Sequence, residues 1–178
     1  MRLKHIIIMF FLIIHCSCNS EKNESDSYEI MSVILNHELG SIPDEENGLF
    51  WINPDKEYNT VLIYNYTNLG EFDNMILTEF YPQINSSLLK DLNKKIKIDI
   101  NKIKGYYRYQ LIDLCNDKNK KEVIGTVTFS SISYSENYKK AIFFVKYLCG
   151  GHCGFGKLFY LKKEQKWLIE KEEEVYVS

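Results

Sequence analysis

The sequence predicts an α+β domain in which N-terminal helices pack on a mainly antiparallel sheet that ends in a C-terminal β-meander. Apolar residues recur at helical spacing in parts of the first half of the chain, whereas from Tyr106 onward they recur at every second position. Short turns separate these later segments, as is typical of antiparallel strands. Helices followed by strands indicate a two-layer arrangement.

Helices are expected in the first half of the chain. The first one opens at Asp26, which can form a capping box with Glu29 just before an apolar stripe. The segment Gly70 to Gln83 is ambiguous, although Phe72 and the apolar residues after it keep helical spacing. A further helix is predicted from Ser86 or Ser87 to about residue 95, because its leucines lie on one side.

Strands are expected on both sides of these later helices. Leu49 to Ile52 and Thr60 to Thr67 are rich in β-branched and aromatic residues and predict a hairpin. The later strands are predicted at Tyr106 to Leu114, Thr126 to Tyr134, Ala141 to Cys149, Lys157 to Lys163 and Trp167 to Glu172. Because Ala141 to Cys149 is apolar on both faces, we expect this strand to be central and covered on both sides.

The N-terminus has the organisation of a secretory signal. Arg2 and Lys4 precede the apolar run Ile6 to Ile14, which contains no polar side chain. Nine residues of helix rise only ~14 Å, about half the hydrocarbon core of a bilayer, so this run is too short for a permanent membrane span.

The sequence after this run resembles the lipobox of bacterial lipoproteins, in which small residues precede a lipidated cysteine. Cys18 fits best because Ser17 precedes it, and Cys16 is the lesser candidate. The resemblance implies that the signal is removed and that Cys18 is acylated, which anchors the chain in a membrane. Asn19 follows the cysteine, not the Asp that retains some lipoproteins in the inner membrane, so we expect an outer-membrane location in the cell envelope.

The predicted organisation is a signal peptide at residues 1–17, a flexible tether at 18–26 and a single α+β domain at 27–178. The tether prediction rests on a stretch from Asn19 to Ser27 without an apolar residue. A chain of 178 residues, 45% of them hydrophobic, is long enough to bury one substantial core. Its formal net charge of −2 gives no strong field for nucleic acid or anionic lipid, and we expect no nucleic-acid partner.

The loop from Cys149 to Gly156 contains two cysteines, a histidine and four glycines. In an oxidising compartment, a disulfide between Cys149 and Cys153 is the favoured interpretation. Cys149, His152 and Cys153 are weak candidates for a metal site because a fourth ligand would have to come from afar, and we predict no metal. A reactive thiol and free thiols are further alternatives, while the state of Cys115 stays open.

A phosphate-binding loop is excluded at the same place. Gly151 to Lys157 approaches the Walker A pattern, but Leu158 stands where a Ser or Thr should bind Mg²⁺. The loop also enters a predicted strand, not the helix that a phosphate loop opens. We therefore expect no nucleotide cofactor.

The C-terminal fifty or so residues resemble a group of uncharacterised secreted bacterial proteins that end in a strand, a CG-x-x-CG-x-G turn and a Trp-containing hairpin. The resemblance is carried by Ser130–Tyr134, Lys140–Val145, Cys149–Gly150, Cys153–Gly156, Leu161–Lys163 and Lys166–Ile169. This chain departs from the pattern where Glu164 and Gln165 replace the glycine-bearing turn, which leaves the register of the last two strands open. The resemblance implies secretion but no known activity.

No set of residues amounts to a convincing active site. His37 is expected to cap the first helix or face solvent, and Glu170 and Glu172 to Glu174 to form a solvated sheet end with at most weak cation binding. The sequence thus favours a non-enzymatic lipoprotein, anchored in a membrane by lipid, that binds an unknown protein or small-molecule ligand. The alternatives are a thiol- or metal-dependent enzyme that uses the Cys149–Cys153 loop, and an inhibitor or immunity-type lipoprotein.

Overall fold

A seven-stranded mixed sheet forms the centre of the computed structural model, which describes residues 24–38, 59–104, 109–113, 123–148 and 154–177. The strand order is β2-β1-β3-β5-β6-β7, and β4 pairs with β5 beside the end of β3. The strands are β1 Asn59–Ile63, β2 Tyr109–Asp113, β3 Val123–Phe129, β4 Ser133–Tyr134, β5 Lys140–Leu148, β6 Gly154–Lys163 and β7 Trp167–Val177. The helices are α1, described over residues 24–38, α2 Glu71–Phe80 and α3 Ser86–Leu92, with a short 3₁₀ turn at Ile100–Lys102.

The predicted α+β class and the C-terminal meander are confirmed. Strands β5, β6 and β7 are consecutive antiparallel neighbours, and β3 pairs antiparallel with the other side of β5. The last hairpin closes at the pair Lys163 and Trp167, which settles the register that the Glu164–Gln165 turn left open. As expected, β5 is central and buried on both faces along most of its length.

The first two strands differ from the prediction. β1 pairs in parallel with both β2 and β3, so β2 and β3 are not neighbours and do not belong to the meander. The predicted hairpin is wrong for β1, because both of its edges are taken by these parallel partners. The other half of that hairpin, residues 49–52, lies outside the described residues.

The predicted two-layer arrangement is also wrong, because helices cover both faces of the sheet. Side chains of β5 alternate between two separate apolar cores: Phe143 and Val145 join the core under α1, and Phe144 joins the core under α2 and α3. The side chains of the neighbouring strand, β6, alternate in the same way, with Phe159 in the first core and Leu158 in the second. Because the hairpin is apolar on both faces, each face must be covered by other elements. The domain therefore has three layers, which are α1, the sheet, and α2 with α3.

Helix α1 begins earlier than predicted. Glu24 and Ser25 are already helical, so Asp26 is not the N-cap, and residues 24–26 of the predicted tether belong to the helix. The two acidic residues of the supposed capping box make tertiary contacts instead. Asp26 accepts a hydrogen bond from Lys163 at 2.5 Å, and Glu29 accepts one from the backbone N–H of Trp167 at 3.0 Å.

The ambiguous segment after Gly70 is helix α2, but its apolar stripe faces outward. Phe72 and Met75 are each 52% exposed and Phe80 is 63% exposed, whereas Asp73 and Leu77 are the buried residues. Helix α3 begins at Ser86 as predicted, because the Asn85 side chain caps it by accepting from two backbone N–H groups. It ends at Leu92, three residues before the predicted end.

Gly156 marks the closest packing between the hairpin and its neighbours. A Cβ atom at this position would lie 2.7 Å from Cζ of Phe144 and 2.8 Å from Cε1 of Tyr176. Both rings belong to the core under α2 and α3, where Phe144 is only 1% exposed and cannot move aside freely. Only glycine fits here without displacing one of these rings.

We predict that Gly156→Ala lowers the free energy of unfolding by about 1–3 kcal/mol, the usual cost of overpacking a dense core. Urea unfolding of the variant and the wild-type chain measures the loss. Leu168→Ala, at an exposed position of the neighbouring strand, is the control and should cost less. A Gly156→Ala chain as stable as wild type would contradict this packing.

Candidate functional site

The two ends of the β5–β6 hairpin carry different features. At one end Leu148 pairs with Gly154, so the five residues 149–153 connect the two strands there. We call this the loop end. At the other end lie Lys163 and, through its contact with Asp26, the start of α1. We call this the Lys163 end.

A cluster of four charged or ionisable side chains lies near the loop end, on the face covered by α1. Lys157 of β6 donates to both carboxylate oxygens of Glu38 at 3.1 Å and approaches Glu172 of β7 at 3.5 Å. His37 Nε2 is 2.8 Å from Glu172 and 3.8 Å from Glu38. The last described turn of α1 therefore brings His37 and Glu38 onto the charged residues of two adjacent strands.

Burial sets the electrostatics of this cluster. The side chain of Glu38 is 1% exposed and that of Lys157 is 14% exposed. Burial raises the pKa of the Glu38 carboxyl, and the adjacent Lys157 ammonium opposes that rise. Tyr147 is fully buried nearby, and its pKa is raised well above the usual value by burial and then by the negative charges of Glu38 and Glu172.

The cluster resembles a cation site in composition, but its buried carboxylate is already paired with a lysine of the protein. His37, Glu38 and Glu172 each offer a ligand atom, and these atoms lie within 4.8 Å of one another. Lys157 already places its ammonium between the two carboxylates, where a metal ion would have to sit. The geometry is that of an ion-pair network which fixes the end of α1 on the sheet.

A second buried carboxylate lies at the same level on the opposite face. Asp73 of α2 is 2% exposed and accepts a hydrogen bond of 2.5 Å from the Tyr176 hydroxyl. It also accepts from the backbone N–H of Gly70 at 3.2 Å, and Lys146 of β5 lies 3.5 Å away. Burial raises the pKa of Tyr176, and the bond to the Asp73 carboxylate adds to this rise.

Exposed apolar side chains lie next to these buried charges. Leu148, the last residue of β5, is 38% exposed at the loop end. Phe72 contacts Tyr176 edge-on at 5.3 Å between ring centroids, which places the exposed stripe of α2 on the same part of the molecule. We define the loop-end surface as Phe72, Met75 and Leu148.

Concave regions of the described part of the chain lie at the other end. A groove of about 820 Å³ runs along α1 and includes Glu24, Tyr28, Lys102, Lys104 and Lys166 in its lining. A smaller crevice of about 360 Å³ between α1 and the sheet is lined by Met31, Ile98, Ile132 and Tyr134, among others. Both regions are open to solvent.

Most of the predicted site residues cannot be placed. Cys16, Cys18, Cys115, Cys149, His152 and Cys153 lie outside the described residues, so the lipidation site, the disulfide and the weak metal candidates stay predictions. His37 is described, and it contacts two carboxylates. Of the acidic residues assigned to a solvated sheet end, Glu172 is paired with Lys157 and His37, and Glu173 pairs with Lys171.

Sequence reasoning missed Glu38, Asp73, Lys146 and Lys157. The signal available for the two lysines was their position inside segments that are otherwise apolar, where an isolated charge needs a partner. Nothing in the sequence identifies those partners, since Glu38 and Lys157 are 119 residues apart.

The chain was compared with known proteins, and no family model, curated protein or solved structure matches it.

We predict that Lys157→Met destabilises the protein by about 3–5 kcal/mol near neutral pH, because Glu38 is left buried without its cation. The folded-state pKa of Glu38 lies above the unfolded value near 4.5 and rises further in the variant. An acid with a raised folded pKa destabilises the fold when ionised, and this penalty is relieved as pH falls through the folded pKa. The loss relative to wild type should therefore be smaller at about pH 5 than at about pH 7.5.

Urea unfolding at the two pH values provides the measurement. The double variant Glu38→Gln and Lys157→Met should recover most of the loss, because neither partner is then charged. Lys171→Met, which removes an exposed pair with Glu173, is the control and should have little effect. A loss that is the same at both pH values would rule out the role assigned to Glu38.

Proposed function

We propose that this protein is a non-enzymatic lipoprotein of the cell envelope, anchored through Cys18, which presents the loop-end surface to a protein partner. The anchor is supported by the signal-like N-terminus and its lipobox-like cysteine. Among the described residues, no helix has the length and apolar character needed to cross a membrane. Asn19 after the cysteine, in place of the retaining Asp, supports an outer-membrane location.

The direction of α1 carries the proposal. Glu24 is already helical and stands six residues after Cys18, a span of at most ~20 Å when extended. Lipid on Cys18 therefore holds the Lys163 end close to the bilayer. β6 has 10 residues and a length of ~33 Å, so the loop end can extend about that much farther from the anchor than the Lys163 end.

The chemistry of the loop-end surface favours a protein partner. Phe72 and Met75 are large apolar side chains with half their surface exposed. Apolar side chains grouped in this way are typical of protein interaction surfaces. The helix that carries them contains Glu71 and Glu79 and no basic residue. We therefore infer a partner with an apolar contact surface bordered by basic residues.

The ionisable side chains near the loop end support a structural role over catalysis. Glu38 and Lys157 neutralise each other, and Asp73 is held by Tyr176 and a backbone N–H group. A general acid or base must instead be free to reach a substrate. An inhibitor or immunity-type lipoprotein would be one form of the same proposal, with a single tight partner.

We predict that the mature protein begins at an acylated Cys18. Intact-mass and N-terminal peptide analysis of protein extracted from its membrane should find residues 1–17 removed and fatty acyl groups on Cys18. Cys18→Ser should block processing and leave the signal attached, whereas Cys16→Ser should be processed normally. A mature chain that retains Met1 and carries no lipid would end the proposal.

We predict that the double variant Phe72→Ala and Met75→Ala weakens partner binding by at least about tenfold, because exposed apolar anchors dominate such interfaces. Cross-linking of the envelope-anchored protein, followed by quantification of each cross-linked partner, provides the test. Leu168→Ala is the matched control, since this side chain is 42% exposed but lies near the Lys163 end. Equal recovery of a partner with both variants would show that the loop-end surface does not bind it.

A further inference from the structure

A basic and apolar patch lies beside the first described turn of α1, on the segment that follows α3 and on Tyr66, which pairs with that segment. We define it as Tyr66, Lys95, Ile96, Lys97, Lys102 and Lys104. Tyr66 and Lys97 form an isolated antiparallel bridge, and the Lys95 ammonium lies 5.0 Å from the centre of the Tyr66 ring. Thr67 fixes this segment by accepting from the backbone N–H of Ile96 at 2.7 Å and donating to the carbonyl of Lys94 at 2.5 Å.

The patch is placed at the start of α1 by direct contacts. Lys102 donates to Glu24 at 2.6 Å, and the backbone N–H of Lys104 donates to the Ser32 hydroxyl at 2.9 Å. The Tyr28 hydroxyl accepts from the backbone N–H of Asp99 at 2.9 Å. The crevice beside α1 has both Glu24 and Ile96 in its wall. The patch therefore lies where the predicted tether enters the domain.

Exposure and charge distinguish this patch from an ordinary solvated loop. Ile96 is 50% exposed between two lysines, and Tyr66 is 40% exposed beside it. Within the described ranges, Lys95, Lys97 and Lys104 have no carboxylate partner, and Lys102 is neutralised by Glu24. Asp99 is the one acidic residue of the segment between α3 and Lys104, and its side chain accepts a hydrogen bond from the backbone N–H of Asn101.

We propose that this patch docks on an anionic lipid surface, with its lysines against headgroup phosphates and with Ile96 and Tyr66 entering the interfacial region. Amphipathic side chains of this kind, with charged groups beside an apolar residue, suit the boundary between headgroups and acyl chains. The proposal deepens the proposed function, and it rests on the lipid anchor at Cys18.

The anchor explains why so small a patch is sufficient. Three unpaired lysines attract an anionic surface only weakly, so a free protein would stay bound only at low salt and at a high concentration of anionic lipid. A chain held within ~20 Å of the bilayer experiences a high effective concentration of lipid, so a weak attraction determines its orientation. The patch would hold the Lys163 end on the membrane and keep the loop end turned outward.

The test uses the acylated protein in vesicles of phosphatidylcholine, with or without phosphatidylglycerol. An amine-reactive reagent labels the lysines, and peptide mass spectrometry gives the labelling rate of each one. We expect Lys95, Lys97 and Lys104 to react at least about fivefold more slowly on vesicles with phosphatidylglycerol, and this protection to disappear at about 1 M salt. Lys90 and Lys171 are exposed lysines outside the patch, and their rates should not change.

A second measurement uses the unacylated chain from Asn19 to Ser178, which retains every described residue. It should float with phosphatidylglycerol vesicles at low salt, and Lys95→Gln with Lys97→Gln should weaken this binding about tenfold or more. The control, Lys90→Gln with Lys171→Gln, removes the same charge elsewhere and should bind like the unsubstituted chain. Cooperative unfolding of each chain verifies that it is folded.

The outcomes distinguish a failure of the lipid-docking patch from a failure of the lipid anchor at Cys18. Equal labelling of all exposed lysines on both kinds of vesicle would overturn the patch even if Cys18 is acylated. If the patch variant and the control variant weaken vesicle binding equally, the effect is one of net charge alone. This result would overturn the patch proposal as well. If Cys18 carries no lipid, the anchor fails, while flotation of the unacylated chain still reports on the patch.

Discussion

The structure depends on the charged contacts that hold both faces of the β5–β6 hairpin. The hairpin is apolar on either side, yet it carries Lys146 towards one face and Lys157 towards the other. A lysine covered by a helix is costly unless a carboxylate accompanies it. Helix α1 brings Glu38 to Lys157, and helix α2 brings Asp73 to Lys146. Each contact therefore joins one helix to one face of the hairpin at a defined position along the strands.

The local pattern of the sequence predicted the C-terminal half well. The alternation from Ala141 to Cys149 indicated a strand covered on both sides, and β5 has that environment. The parallel pairs of β1 could not be predicted, because pairing between β1, β2 and β3 depends on contacts that are distant along the chain. Helix α2 shows another limit of periodicity: its stripe from Phe72 to Phe80 was recognisable, but the face that packs inward is instead set by Leu77 and the buried Asp73.

The candidate site was harder to predict than the fold. His37 and Glu172 are both exposed, as the sequence predicted, but their contact with each other was not predicted, since nothing local indicates that residues 37 and 38 of α1 lie against β6 and β7. The overall charge was similarly uninformative. A net charge of −2 averages a lysine-rich segment after α3 against the acidic residues of α2 and β7, and the average conceals the difference between the two ends.

The antiparallel course of α1 along β6 also constrains how the molecule assembles. Asp26 and Lys163 are separated by 137 residues, so α1 is synthesised early but receives its ionic partners almost last. Contacts between such distant parts of a chain slow folding and prolong the exposure of apolar surface. The nascent polypeptide must therefore remain protected from aggregation until its final hairpin has emerged, and a truncation before residue 157 would remove both ionic partners of α1 and part of the core on which it packs.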